Sequence, residues 1–171
     1  MDKMKKYLFF LFLLCSISVN AQIKREILGV TLGVSTENQV RETLDSKGIK
    51  NAETGGMLAA IDVKFGGQIW SSVFFNFYDN KVYSIMFMDS DLLKPTSDLL
   101  SIQDFLMDSL AQKYSKYMKN DENSLVFDDD ITRIKLSYKI SEEKENMHIL
   151  ILSYFDIELL GASALSILDD L

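Results

Sequence analysis

Apolar and polar positions alternate most sharply in two stretches, and each predicts a β-hairpin. Ile69 to Met88 (IWSSVFFNFYDNKVYSIMFM) is rich in aromatic and β-branched residues on both sides of Asp79-Asn80. Asn and Asp tolerate the positive φ angles of a two-residue turn, so the stretch reads as two antiparallel strands. With Asp79 and Asn80 as the loop, Tyr78 faces Lys81, Phe77 faces Val82, Phe75 faces Ser84 and Val73 faces Met86. Strand side chains alternate between faces, so this register sorts the hairpin into two surfaces. One carries Val73, Phe75, Phe77, Val82, Met86 and Met88 and is expected to be the core. The other carries Trp70, Phe74, Tyr78, Tyr83, Ile85 and Phe87 beside Asn76 and Lys81, and is too apolar to stand bare in water.

The second hairpin is predicted near the C-terminus. Ile134, Leu136, Tyr138 and Ile140 alternate with Arg133, Lys135, Ser137 and Lys139, which gives one inward and one outward face. Met147 to Tyr154 (MHILILSY) is apolar on both faces, as a central strand should be. Ala60 to Phe65 reads as a brief strand ended by Gly66-Gly67, and Val126-Phe127 as another. Ile23 to Val30 reads as a short opening strand or extended arm. Asn51 to Leu58 and Lys119 to Ser124 read as loops.

Two helices separate these strands. Gly33 to Ile49 has Thr36 as N-cap, Gln39 to complete a capping box, Val34 as a staple and Gly48 to end the helix. Val40 and Leu44 share one face. After Pro95, with Thr96 or Ser97 as cap, Leu99, Ile102, Leu106, Leu110, Tyr114 and Tyr117 recur at three- and four-residue spacing, which predicts a helix of about 20 residues. The tail from Ile157 is mostly apolar. Gly161 interrupts it and Asp169-Asp170 oppose the helix dipole, so it reads as a loose helix covering an exposed sheet face.

The fold class implied is α+β: an antiparallel sheet with helices packed on one face. The elements run helix, three strands, helix, three strands, which allows two pseudo-repeats at 35–88 and 96–154 within one domain, 22–171.

The N-terminus changes the compartment. Lys3, Lys5 and Lys6 precede the apolar run Tyr7 to Leu14, and Val19-Asn20-Ala21 has the shape of a signal-peptidase site. A cleaved signal over residues 1–21, with Gln22 as the mature N-terminus, implies a periplasmic or secreted protein with no integral membrane segment. Leu14 stands where a lipidated cysteine needs a small residue, which argues against lipid anchoring at Cys15. The net charge of −7 becomes more negative once that segment leaves, because it holds three Lys and one Asp. An acidic chain argues against nucleic acid and anionic membrane surfaces. Cys15 is the only cysteine, so the mature chain has no disulfide and no thiolate chemistry.

The run from Leu28-Gly29-Val30 to Gly48, entered through Leu32-Gly33-Val34-Ser35, resembles the G-M-S/T-x-x-x-V-x-x-x-L opening of helix-then-meander modules. These include SmpA/BamE-like outer-membrane assembly lipoproteins and the tandem β-lactamase-inhibitor-protein fold. Lys47-Gly48-Ile49, Phe65-Gly66-Gly67 and Lys81-Val82-Tyr83 also look like the matching pieces of small uncharacterised exported bacterial proteins. The resemblance implies a helix-plus-meander fold and a protein-binding role, and carries over no functional residue.

Candidate chemistry is sparse. His148 is the single histidine and lies in a predicted strand without an identifiable partner, so it is read as a structural residue. Asp128-Asp129-Asp130 lacks the D-x-D-x-D-G spacing of a calcium loop and reads as a solvated turn. No cofactor, metal or catalytic residue is assigned. The aromatic face (Trp70, Phe74, Tyr78 and Tyr83) is the candidate binding surface, since aromatic side chains offer large contact area and Trp and Tyr a polar handle. The leading expectation is a non-enzymatic, exported protein-interaction module whose partner is another envelope or extracellular protein. The alternative is a small-ligand or carbohydrate-binding domain using the same face.

Overall fold

The computed structural model of the chain describes residues 22–121, 124–141 and 147–169. The signal segment, Cys15, most of the loop after Ser141, and Asp170 lie outside the described residues.

Eight antiparallel strands form one sheet. In chain order they are β3 (Asn51–Thr54), β4 (Met57–Phe65), β5 (Gln68–Tyr78), β6 (Lys81–Ser90), β7 (Met118–Asp121), β8 (Ser124–Asp128), β9 (Thr132–Ser141) and β10 (Met147–Asp156). A two-stranded ribbon, β1 (Glu26–Ile27) with β2 (Val30–Thr31), precedes them. The helices are α1 (Glu37–Ser46), α2 (Thr96–Tyr114) and α3 (Ile157–Asp169). The sheet order is β3-β4-β5-β6-β10-β9-β8-β7. Each half is therefore a helix followed by a four-strand meander, and the last strands of the two meanders meet at the centre. Each meander has one strand more than expected: β3 and β7 occupy stretches read as loops. Both are four residues long and polar, which suits an edge strand.

The local signals explain most element ends. Thr36 and Gln39 form the capping box of α1, and Gly48 follows its C-cap at φ +68°. Val34 is not a staple: it is 63% exposed. Helix α2 has Pro95 at its N-cap and no side-chain cap, in place of the expected Thr96 or Ser97. Its expected apolar stripe is buried from Leu99 to Tyr114. Asp79 and Asn80 both take positive φ, as the predicted two-residue turn requires.

The register of the main hairpin departs from strict alternation twice. Tyr78 pairs with Lys81 and Phe77 with Val82, but the register then shifts, so that Phe75 faces Ile85, Phe74 faces Met86 and Val73 faces Phe87. An extra residue at Tyr83–Ser84 turns Ile85 and Phe87 inward. The second departure lies between Asp62 and Ser71, where the β4–β5 ladder skips one pair and Asp62 has φ +54°. Leu58 and Ala60 are buried before it and Val63 after it; on β5 the inward residues are Trp70 and then Val73. Inward parity changes on both strands at the same level.

The core face thus unites Trp70, Val73, Phe75, Val82, Ile85 and Phe87 with Leu150, Leu152 and Tyr154 under α1 and α2. Phe65 stacks on Phe87 with ring centres 4.5 Å apart, and Trp70 and Tyr154 pack against the same ring. Burial, with Tyr114 nearby, holds the Tyr154 phenol far above its ordinary pKa. On β9, Ile134 and Leu136 point inward as expected, whereas Ile140 ends up exposed and Ser137 buried. No described helix is long and apolar enough to cross a membrane.

Candidate functional site

The opposite sheet face is built from the residues that alternate with the core. It carries Phe74 and Asn76 on β5, Ser84, Met86 and Met88 on β6, and Ile149, Ile151, Ser153 and Phe155 on β10. None of these belongs to the core cluster. Helix α3 leaves β10 at Asp156 and lies against β10, β6 and β5. Ser84 and Ser153 are buried on this face, and small side chains there let the helix come close. Asp156 makes the departure possible: one carboxylate oxygen caps the Leu159 N–H at 2.9 Å, and Ile157 N–H reaches the Ile131 carbonyl at 3.0 Å. Leu159, Ala162, Ser163 and Ser166 are half-buried at helical spacing, so this stripe faces the sheet. Gly161 does not interrupt the helix.

The predicted aromatic quartet divides. Trp70 is fully buried in the core, and its indole N–H donates to the Phe65 carbonyl at 3.2 Å. It cannot present a binding surface. The predicted register placed it wrongly because the parity change at Ser71 is invisible to an alternating count. Ile85 and Phe87, predicted to lie beside it on the second face, are also core residues. Phe74, Tyr78 and Tyr83 are half-buried. Phe74 lies on the face that α3 crosses, and Tyr78 and Tyr83 stand at the turn end of the same hairpin.

Sequence reasoning missed the outer side of α3. Leu165 and Ile167, on opposite flanks of the helix, are 64% and 63% exposed. They are the exposed apolar side chains of the candidate site, with half-buried Tyr78 and Tyr83 on the hairpin that α3 crosses. The signal was present in the tail, which is apolar at more positions than one buried stripe needs.

The titratable candidates have internal partners. Asp128 takes Arg133 at 2.8 Å and Lys119 at 3.3 Å, and its other oxygen accepts the Asp130 N–H at 2.9 Å. Burial pushes its pKa up, but the Asp130 N–H and the two cations outweigh burial and hold it below the ordinary 3.8. Asp129 accepts the N–H groups of Ile131 and Thr132 on one oxygen and that of Ile23 on the other. Asp128 and Asp129 are thus tied into the fold, while the Asp130 side chain stays 92% exposed as a solvated turn would have it. Among the described residues no group of three or more His, Cys, Asp or Glu could hold a metal ion. His148 sits in β10 with its Nδ1 2.7 Å from the Tyr138 hydroxyl. Burial, and secondarily the Asp91 carboxylate, raise the Tyr138 phenol above its usual value, so this pair offers no activated nucleophile.

Comparison with known proteins finds no matching family model, no matching curated protein and no matching solved structure.

Proposed function

We propose that the chain is a non-enzymatic, exported module of the cell envelope that binds another protein through α3 and the half-buried aromatic residues beside it. The observation that carries the reading is the exposure of Leu165 and Ile167, which flank on either side the α3 stripe that covers the sheet. Large aliphatic groups exposed on a helix are the usual anchors of a partner surface. The signal-like N-terminus supports export. The helix-then-meander order of each half supports the likeness to envelope assembly and inhibitor modules.

The reading is tested in cells that export the full chain. A photo-crosslinking amino acid at Leu165 should trap one stoichiometric protein partner, identified by mass spectrometry. The Ile167→Ser change should abolish the adduct, and the same crosslinker at exposed Glu42 on α1 should give none. Equal adducts from positions 165 and 42 would reject the reading. N-terminal sequencing of the exported chain should begin at Gln22.

A further inference from the structure

A second surface feature lies apart from α3, where the β4–β5 turn meets the start of α2. A cleft of about 530 Å³ is lined there by Gly67, Gln68, Ile69, Lys94, Asp98, Ser101 and Ile102. Its volume falls within the range of small-ligand sites. We propose that this cleft binds a neutral, polyhydroxylated ligand of sugar type.

The chemistry of the walls selects that class. Lys94 is fixed from behind: its ammonium donates to the Asp89 carboxylate and to the Ile69 carbonyl. The Asp89 side chain is 0% exposed and that of Lys94 26% exposed. Two of the three ammonium N–H bonds are thus committed, and one remains for a ligand oxygen. Because Asp89 neutralises the charge, the ammonium acts as an oriented donor rather than an anion trap. Asp98, exposed in the first turn of α2, meets the Ser97 hydroxyl at 3.3 Å with one oxygen only. The Ser101 hydroxyl gives its proton to the Ser97 carbonyl at 2.9 Å, so it faces the cleft as an acceptor. The Gln68 amide has no side-chain partner among the described residues and supplies both a donor and an acceptor.

An anion would meet Asp98 without a free cation to offset it. A metal ion would find one carboxylate facing a lysine. A purely apolar ligand would strip water from four polar side chains without replacing their hydrogen bonds. A sugar ring satisfies all of them. Vicinal hydroxyls can donate to Asp98 and Ser101, the ring oxygen and a hydroxyl oxygen can accept from Lys94 and Gln68, and the C–H face can rest on Ile69 and Ile102.

The test is a nuclear magnetic resonance titration of the full chain with glucose, N-acetylglucosamine, maltose and cellobiose, and with inorganic phosphate and glycine as charged controls. At least one sugar should produce saturating amide shifts confined to residues 67–69 and 94–102, with affinity of roughly millimolar or better. Asp98→Asn and Gln68→Ala should each weaken it about tenfold while leaving the spectrum dispersed, since the first turns a charged acceptor oxygen into a donor and the second removes the amide, both at the surface. Three results would overturn the proposal: no saturating shifts from any of the four sugars, an affinity unchanged in the Asp98→Asn/Gln68→Ala double variant, or tighter binding of phosphate or glycine at the same residues.

Discussion

The carboxylate of Asp89 lies 3.1 Å from the backbone nitrogen of Ser71 and 2.6 Å from its hydroxyl. It does the work that a ladder carbonyl would do if the β5–β6 pairing continued past Ser72 and Met88. The parity change at Ser71 frees a backbone N–H in a half-buried place, where an N–H shielded from water must find an acceptor. Asp89 supplies it, and Lys94 supplies the counter-charge.

Removing Asp89 should therefore be expensive. Asp89→Ala leaves the Ser71 N–H without its acceptor and the Lys94 ammonium with only the Ile69 carbonyl and no counter-charge, and is expected to cost about 3–5 kcal/mol. The Asp89→Leu/Lys94→Met pair removes both charges and should cost clearly less than Asp89→Ala. Urea denaturation of both variants checks this. Equal losses would mean that the ion pair is not what makes Asp89 important.

Gly33 is held to glycine by a second buried acid. It has φ +74°, and a Cβ there would overlap both the Asp156 carboxylate and the Arg25 guanidinium, which are ion-paired to each other. Arg25 also donates to the Leu32 carbonyl at 2.8 Å, so the pair ties the N-terminal arm to the β10–α3 junction. Gly33→Ala should cost about 1–3 kcal/mol from backbone strain alone, and more if the ion pair is broken. Limited proteolysis should then find residues 22–32 newly sensitive while the β4–β6 meander stays protected.

These two acids also show where sequence reading stops. The hairpin turn, both helix stripes, the α1 capping box and the central position of β10 were legible because each is set by a local pattern. The two parity changes were not. Nothing near Tyr83 announces an extra residue, and the Asp62–Ser71 kink is stabilised by Asp89, 18 residues along the chain from Ser71. An alternating count therefore carried Trp70 to the wrong face. Strands β3 and β7 were missed because edge strands are short and polar, so they share the composition of loops. Phe74, Tyr78 and Tyr83 were legible as aromatics of a second face too apolar to stand bare, but Leu165 and Ile167 were not separable from the inward stripe of α3 without the sheet beneath it.

Asp128 gives the fold a pH dependence. Its pKa lies below the ordinary 3.8, so the folded state holds the ionised carboxylate more strongly than the unfolded chain does. That stabilisation is fully present above the ordinary carboxylate pKa and is lost as pH falls through the lower folded value. Asp128→Asn should destabilise by roughly 1.5–3 kcal/mol at neutral pH, the usual worth of hydrogen bonds to a charged group. The gap between variant and parent should shrink as pH drops below about 4, where the parent protonates too. Thermal melts from pH 3 to pH 7 read the gap directly, and a gap that stays constant would assign the loss to packing instead.

The cover formed by α3 is the relationship on which the candidate site depends. Its inner stripe shields a sheet face holding Phe74, Met86, Ile151 and Phe155, while the helix is attached to the described sheet covalently only through β10. Ending the chain after Asp156 should therefore uncover a contiguous apolar face and remove the N–H groups that Asp156 and Ile131 satisfy. The truncated protein is expected to keep its far-ultraviolet strand signal, melt at lower temperature and bind a hydrophobic fluorescent dye that the full chain ignores. Leu165→Ser with Ile167→Ser makes the contrasting variant. Both side chains are exposed, so the melting temperature should move little, within about 0.5 kcal/mol of stability. Co-purification of the partner with an affinity-tagged exported chain should nevertheless be lost. If the double-serine variant melts as low as the truncation, Leu165 and Ile167 are packing groups and the docking reading of α3 fails; if it melts like the parent and no longer co-purifies the partner, the inner stripe holds the sheet and the exposed flanks of α3 meet the partner.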